Sequence, residues 1–295
     1  MGKFKFGISF RGVTDRAEWT AKCRRAEELG YDVITVPDHL GPGRPAPFPA
    51  LVAAAAVTER PRVGTLVSNV PFYNLALFAR DVASTDALTG GRLDLGLGSG
   101  HMKSEFDDAG LPWRKAAERI DYLVEGLDEL KTRLADEGGL PRLLIAGNSD
   151  GVLRLAAEHA DIAGFAGLRQ DRGKPPGTFV LDNAEAMDER VRFFRSLAGD
   201  REVEYNMLVQ RVVVTEDRRA AAAEWHADTD ERSVENRSVE NTDELLDAPQ
   251  LLLGTVDEIV QQLVDRRERY GFSYITVFEA MLETFAPVVA ELRGR

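Results

Sequence analysis

The chain has 295 residues, 37 Lys and Arg against 49 Asp and Glu for a formal charge of −12, 44% hydrophobic residues and a single cysteine. That length supports one large domain or two ordinary ones and buries a sizeable core. With no basic run interleaved with aromatics to offset it, the charge argues against nucleic acid or an anionic membrane as partner; the unpaired Cys23 excludes a disulfide framework and fits a reducing, cytoplasmic compartment.

Residues 3–10 read as a strand rather than as the apolar core of a signal peptide, and no apolar run is long enough to span a bilayer. Asp15 with Glu18 three residues on marks a helix start, with Trp19, Cys23 and Ala26 on one face behind it. Further strands are expected at 31–37, 62–70, 92–98, 142–147, 161–167, 203–214 and 273–278, eight in all, with helical segments between them. Ile120, Leu123, Val124, Leu127, Leu130 and Leu134 form a stripe at helical spacing, and Thr255 with Glu258 caps a helix running through Ile259, Leu263 and Arg267.

Eight strands each followed by a helix are what a (β/α)8 barrel needs. Residues 1–295 are therefore expected to form a single α/β domain, a TIM barrel. A doubly wound sheet loses its main support because the glycines of the first strand lack the GxGxxG spacing. Two stretches exceed the regular unit: a Gly, Pro and Arg loop at 168–179, and an insertion after the seventh strand at 218–250 that carries RSVEN in tandem at 232–236 and 237–241. A period of five matches neither helix nor strand and reads as a solvated segment, while its place after a barrel strand fits a lid equally well.

On a parallel barrel the acting residues stand just after the strands. That filter selects Ser9, Phe10 and Arg11; Asp38 and His39; Ser68, Asn69 and Phe72; Gly98, Gly100, His101 and Glu105; and Gly147, Asn148 and Ser149. His39 and His101 are two of only four histidines, and imidazole suits proton transfer near neutral pH; the plainer alternative is that each caps a helix. His159 and His226 fall on helical patterns and read as surface residues. No metal is expected, because histidines and carboxylates lack zinc-type spacing, and there is no GxSxG or Walker sequence.

Gly147, Asn148 and Ser149 run straight into a helix whose free amides suit a phosphate, simple capping being the alternative. Arg169, Arg172 and Lys174 form a basic cluster close by in sequence. A phosphate-bearing cofactor with a flat ring, approaching backbone at glycine-lined strand ends, is the economical reading. A phosphosugar isomerase would also need a phosphate site, with Glu105 as its acid or base.

AEELGYDVITVPDHL, RVGTLVSNVPFYNLALFARDVASTDALTGGRLDLGLGSGHMKSEFDDAGLPW, LLIAGNSDGVLRLAAEHADIAGF and LLGTVDEIVQQLVDRRERYGFSYITVF together resemble the bacterial luciferase-like superfamily, and within it the branch that uses the deazaflavin coenzyme F420. The resemblance implies a TIM barrel with an insertion near the seventh strand, a homodimer, and a flavin-type ring at the mouth. It places a non-prolyl cis peptide near Leu66 and Val67, beside Ser68, behind the ring; a phosphate site at Gly147, Asn148 and Ser149; and a ring-proximal Asp-His pair at Asp38 and His39. Where the sugar-phosphate dehydrogenase branch has Glu directly after the GxG of the fourth strand, this chain has His101, which argues against glucose 6-phosphate as substrate.

The activity so implied is a deazaflavin-dependent oxidoreductase that moves a hydride between the ring's C5 and a small organic substrate. His39 would handle a proton or polarise the substrate, His101 would assist, and Phe10, Phe72 and Trp113 would wall the pocket. The alternatives are an FMN-dependent luciferase-like monooxygenase fed reduced flavin by a partner reductase, and a non-catalytic cofactor carrier.

Overall fold

A computed structural model of the protein describes residues 2–136, 138–171, 173–227 and 242–295. The first half of the chain forms β1 (Lys5–Ser9), α1 (Arg16–Glu28), β2 (Val33–Val36), α2 (Pro47–Ala55), β3 (Arg62–Thr65), β4 (Ser68–Asn69), α3 (Leu75–Leu88), β5 (Leu93–Gly98), α4 (Lys103–Asp108) and α5 (Ala116–Leu134). Then come β6 (Arg142–Ala146), α6 (Asp150–His159), β7 (Ile162–Phe165), β8 (Leu168–Gln170), β9 (Phe179–Leu181), α7 (Ala184–Ala198), β10 (Glu204–Leu208) and β11 (Arg211–Val214). The chain ends with α8 (Arg218–Ala227), α9 (Thr242–Asp247), β12 (Leu251–Gly254), α10 (Val256–Tyr270), β13 (Phe272–Phe278) and α11 (Ala286–Leu292).

Strands β1, β2, β3, β5, β6, β7, β10 and β13 run parallel, and the pairings β1 with β13 and β3 with β5 close them into an eight-stranded barrel. The helix starts are capped as the sequence predicts: Asp15 accepts from the Ala17 and Glu18 amides, and Thr255 and Glu258 form a reciprocal capping box. Alternation along the strands separates two apolar layers. Val33, Leu144, Ile162 and Tyr274 cluster together, with Leu66, Val67 and Ala146 packed against them; their chain neighbours Ile34, Leu143, Ile145, Ala163 and Ile275 belong instead to the large shell that packs with Cys23, Leu123 and Leu127 of the helices. The first set fills the lumen.

The expected strand at 203–214 divides. β10 stays in the barrel, but at Val209 and Gln210 the chain turns away, the Gln210 amide donates to the Gln250 carbonyl, and β11 pairs in parallel with β12 outside the ring. One apolar run hid two strands with different partners. The described ends of the insertion are less solvated than its composition predicts: Ala222 of α8 and Leu245 of α9 share a buried cluster with Leu181, Ala248, Leu251 and Leu253. The two RSVEN pentads lie outside the described residues. Among the described residues no helix is long and apolar enough to cross a membrane.

Charge closes the N-terminal end of the barrel. The first residues of β1, β3, β6 and β10 are Lys5, Arg62, Arg142 and Glu204, and Asp94 is the second of β5. Arg62 Nε lies 2.6 Å from Asp94 Oδ1, while Lys5 and Arg142 hold Glu204 at 2.8 and 2.6 Å. Burial pushes the Asp94 carboxyl up from its usual range and Arg62 opposes the shift, so the ion pair is what keeps a charge there tolerable. Asp94→Ala is expected to destabilise the fold by about 2 to 3 kcal/mol, below the range for a fully enclosed pair because Arg62 keeps some contact with water. The urea midpoint reads this, and an unchanged midpoint would show that the network holds nothing.

Candidate active site

Parallel strands deliver Asp38, His39, Ser68, Asn69, Gly98, Gly100, His101 and Gly147 to one rim. Asp38, buried after β2, ties three segments together: its carboxylate accepts from the Asn69 amide at 2.9 Å and the Tyr73 hydroxyl at 2.8 Å, and its own amide donates to the Val67 carbonyl at 3.3 Å. Burial pushes its pKa up, and the hydrogen bonds from Asn69 and Tyr73 pull against that.

The next residue, His39, places Nδ1 2.8 Å from Glu105 Oε1 in the first turn of α4. With Glu105 ionised this bond puts the hydrogen on Nδ1 and leaves the lone pair on Nε2. The His101 ring stands edge-on to His39 at 5.3 Å and to Phe179 of β9 at 5.2 Å. His101 is open to water at the lip yet ringed by protein; crowding first, and then the neighbouring His39, lower its pKa to about 4, with Glu105 opposing. The rim thus presents two imidazoles in contact, one oriented by a carboxylate.

The peptide between Leu66 and Val67 is cis. Gly64 pairs with Asp94 and Ser68 with Leu97, so four steps along β3 and β4 match three along β5, one residue bulging out. That bulge revises the expected use of Gly98 and Gly100. A Cβ on Gly98 would come within 2.5 Å of Val67 Cγ2, and one on Gly100 within 2.5 Å of Asn69 Oδ1 and 2.8 Å of Phe106. The space these glycines leave is filled by the protein itself and is not left open to a ring. Ser68 Oγ and Asn69 Oδ1, both buried beside the bulge, have no hydrogen-bond partner among the described residues.

At the rim of β6, Asn148 Nδ2 donates to the Leu168 carbonyl at 2.9 Å and to Asp182 Oδ2 at 3.2 Å, while its Oδ1 is buried and unpartnered. Ser149 is the N-cap of α6 and accepts from the Val152 amide at 3.4 Å, leaving the first-turn amides of Asp150 and Gly151. Arg169 is committed to Asp182 at 3.2 Å, Lys174 is exposed, and Arg172 lies outside the described residues. His159 is half-buried at the end of α6, and the side chain of His226 also lies outside the described residues.

Two of the three expected pocket walls meet. Phe72 and Trp113 each lie 5.0 Å from the Phe106 ring. Phe10 does not join them: it is fully buried, turned outward from the barrel against Trp19 of α1 at 5.8 Å. Residue spacing offered no sign of Asp182 or Arg190, which reach Asn148 across 34 and 42 residues from β9 and α7. Tyr73 was within reach, one place beyond Phe72 on an inspected strand end. Among the described residues no His, Cys, Asp and Glu group could hold a metal ion.

A closed barrel with two imidazoles and unpartnered polar atoms at one rim is an enzyme architecture, and the sequence gives it a family. The chain belongs to the luciferase-like monooxygenase family, which it matches over residues 12–274. It is 40% identical over 135 residues to the F420-dependent glucose-6-phosphate dehydrogenase of Kribbella flavida, a match spanning 43% of this chain and 39% of that protein, so the chain spans about two fifths of this relative's length. It is 25% identical to the 4-hydroxyprotoasukamycin monooxygenase of Streptomyces nodosus subsp. asukaensis, over 90% of this chain and 79% of that one. Its fold is shared with an F420-dependent secondary alcohol dehydrogenase, at a TM-score of 0.74 and 17% identity over 99% of this chain and 100% of that one.

The lowered His101 pKa has a measurable consequence. Between pH 6.5 and about 4 the unfolded chain takes up a proton that the folded site refuses, so this residue's contribution to stability is present above 6.5 and lost as pH falls toward 4. NMR titration of His101 should show a neutral imidazole down to about pH 4, and His101→Gln should remove that part of the pH dependence of unfolding. A midpoint near the ordinary imidazole value would contradict the crowding described above.

Proposed function

We propose that the protein is a deazaflavin (F420)-dependent oxidoreductase acting on a small organic substrate, with His39 as its proton-handling group. The observation that carries this reading is the pair of buried, unpartnered polar atoms at two strand ends, Ser68 Oγ beside the cis bulge and Asn148 Oδ1 at the start of α6. Each lacks a hydrogen bond that a polyhydroxylated ligand provides, and the first-turn amides next to Asn148 suit its phosphate. The F420-dependent activity in the names of the relatives adds support.

Such a cofactor supplies two-electron hydride chemistry at its ring carbon C5. The remaining work falls to the chain. Ser68 and the bulge at Leu66 and Val67 would back the ring, Asp38 fixes that bulge by accepting from the Asn69 amide and donating its own amide to the Val67 carbonyl, and Asn148, Asp150 and Gly151 would hold the phosphate end. His39, oriented by Glu105 on Nδ1, moves a proton to or from the substrate at Nε2. His101, neutral at pH 7, packs the ring of His39 in place. Arg169, already paired with Asp182, shapes this rim more than it neutralises a phosphate.

Two copies are expected to pair through α3, where Leu77 and Leu88, eleven residues or about three turns apart, are 51% and 69% exposed on one face. Light scattering reads the mass in solution.

Fluorescence titration separates the cofactor readings: deazaflavin should bind more tightly than FMN, and failure to bind either removes the proposal. Asn148→Ala should weaken deazaflavin binding about tenfold, the scale of one lost buried hydrogen bond. His39→Gln should leave that affinity unchanged and lower turnover about a hundredfold or more; a variant that binds and turns over normally would remove His39 from the chemistry.

A further inference from the structure

Beside the rim lies a cavity of about 180 Å3, bounded by the 3-10 turn Val70–Phe72, the chain between α4 and α5, and the start of α5. Phe72, Tyr73, Phe106 and Tyr122 give it aromatic walls, and Arg114 and Arg119 supply its only charges. It adjoins the rim directly, since the Tyr73 hydroxyl donates to Asp38 and Phe106 touches both Phe72 and Trp113.

The two guanidinium groups differ from those the protein holds in ion pairs. Arg62, Arg169 and Arg190 each sit within 3.2 Å of a carboxylate. No carboxylate of the described residues pairs with Arg114 or Arg119, although acids outnumber bases by twelve. Arg119 is half-buried; it donates from Nε to the Ser99 carbonyl at 3.1 Å and from Nη1 to the Arg114 carbonyl at 2.6 Å, and lies 3.8 Å from the centre of the Trp113 ring. A guanidinium has five N–H donors, so three remain without a partner among the described residues. Burial lowers the Arg119 pKa with no carboxylate to oppose it. Arg114 lies over the Tyr122 ring at 5.0 Å.

A half-desolvated guanidinium with spare coplanar donors, beside a second one and facing aromatic walls, matches a planar carboxylate on a flat apolar body. We propose that this cavity binds a small aromatic carboxylate, its carboxylate on Arg119 with Arg114 adding charge and its ring between Phe72 and Tyr122. That this ligand is the substrate rests on the oxidoreductase reading above; that it binds does not.

Benzoate is the probe, titrated into cofactor-free protein and followed by tryptophan fluorescence, with Trp113→Phe to assign the signal. Saturable binding is expected, weakened about tenfold for benzamide, which keeps the shape and loses the charge, and about tenfold by Arg119→Gln. Arg114→Gln, whose guanidinium makes no hydrogen bond to the described residues, should weaken binding without touching the fold. Equal affinities for benzoate and benzamide, or full affinity in both arginine variants, would overturn the proposal, as would no saturable binding. The acidic tail of F420 is the other source of carboxylate: displacement of benzoate by F420 but not by its tail-free deazaflavin core would assign the arginines to the cofactor and overturn the proposal. Benzoate binding without deazaflavin binding would sink the oxidoreductase reading and leave this site standing; the reverse result would do the opposite.

Discussion

One seam of the barrel runs where β3 and β4 come against β5, and that seam depends on missing side chains. A Cβ on Gly96 would collide with the Thr65 carbonyl oxygen, and one on Gly98 would press into Val67. Alanine at Gly96 would push against backbone, which cannot step aside. With glycine there, Thr65 exchanges hydrogen bonds with Gly96 through its hydroxyl, accepting from the amide at 2.9 Å and donating to the carbonyl at 2.7 Å. The seam is thus stitched by a side chain where a regular ladder is interrupted. The extra residue at Leu66 and Val67 follows, because β4 regains register with β5 one step late.

The displaced register sets the chemistry of the rim. It lifts Ser68 and Asn69 to the level of Leu97 and Gly98 and leaves polar atoms buried there without partners. Asp38 compensates from the neighbouring strand by accepting from the Asn69 amide, and this fixes where the next residue, His39, begins. His39 then meets Glu105 because α4 starts soon after β5 ends. A packing constraint between two strands so propagates, through one carboxylate and one turn, to the orientation of an imidazole. Buried polar atoms without partners are costly in a finished interior, which is why Ser68 Oγ and Asn69 Oδ1 at the rim read as a place prepared for a ligand.

Periodicity made most of the fold legible. The fully buried strands announce a parallel barrel, since both faces are covered, and the capping pairs at Asp15 and Thr255 stand where their spacing predicts. The run at 203–214 misled because a change of hydrogen-bond partner at Val209 leaves no mark in hydropathy. Phe10 misled for a related reason: a strand-end position gives the height of a residue in the barrel but not whether it faces the lumen or the helices. The glycines at 98 and 100 were rightly read as close approaches, but sequence could not tell an approaching ligand from an approaching Val67. Asp182 and Arg190 were out of reach altogether, being contacts between elements remote in the chain.

Net charge misleads in a similar way if taken as a property of every surface. An excess of twelve acids makes the protein as a whole repel anions, yet acids also take up many of its basic side chains, as Asp182 takes Arg169 and Asp150 takes Arg190. Paired cations contribute little to binding an incoming anion, so Arg169, one of the expected basic residues near α6, is spent within the protein. Backbone amides at a helix start and guanidinium groups without an acidic partner are what suit an anion. Arg119 is of the second kind: the cavity it lines has aromatic walls and no acidic side chain, and its bonds go to carbonyl oxygens, which position the group without neutralising it. In an acidic chain a cation kept apart from carboxylates by packing carries more information than a cluster of basic residues in sequence.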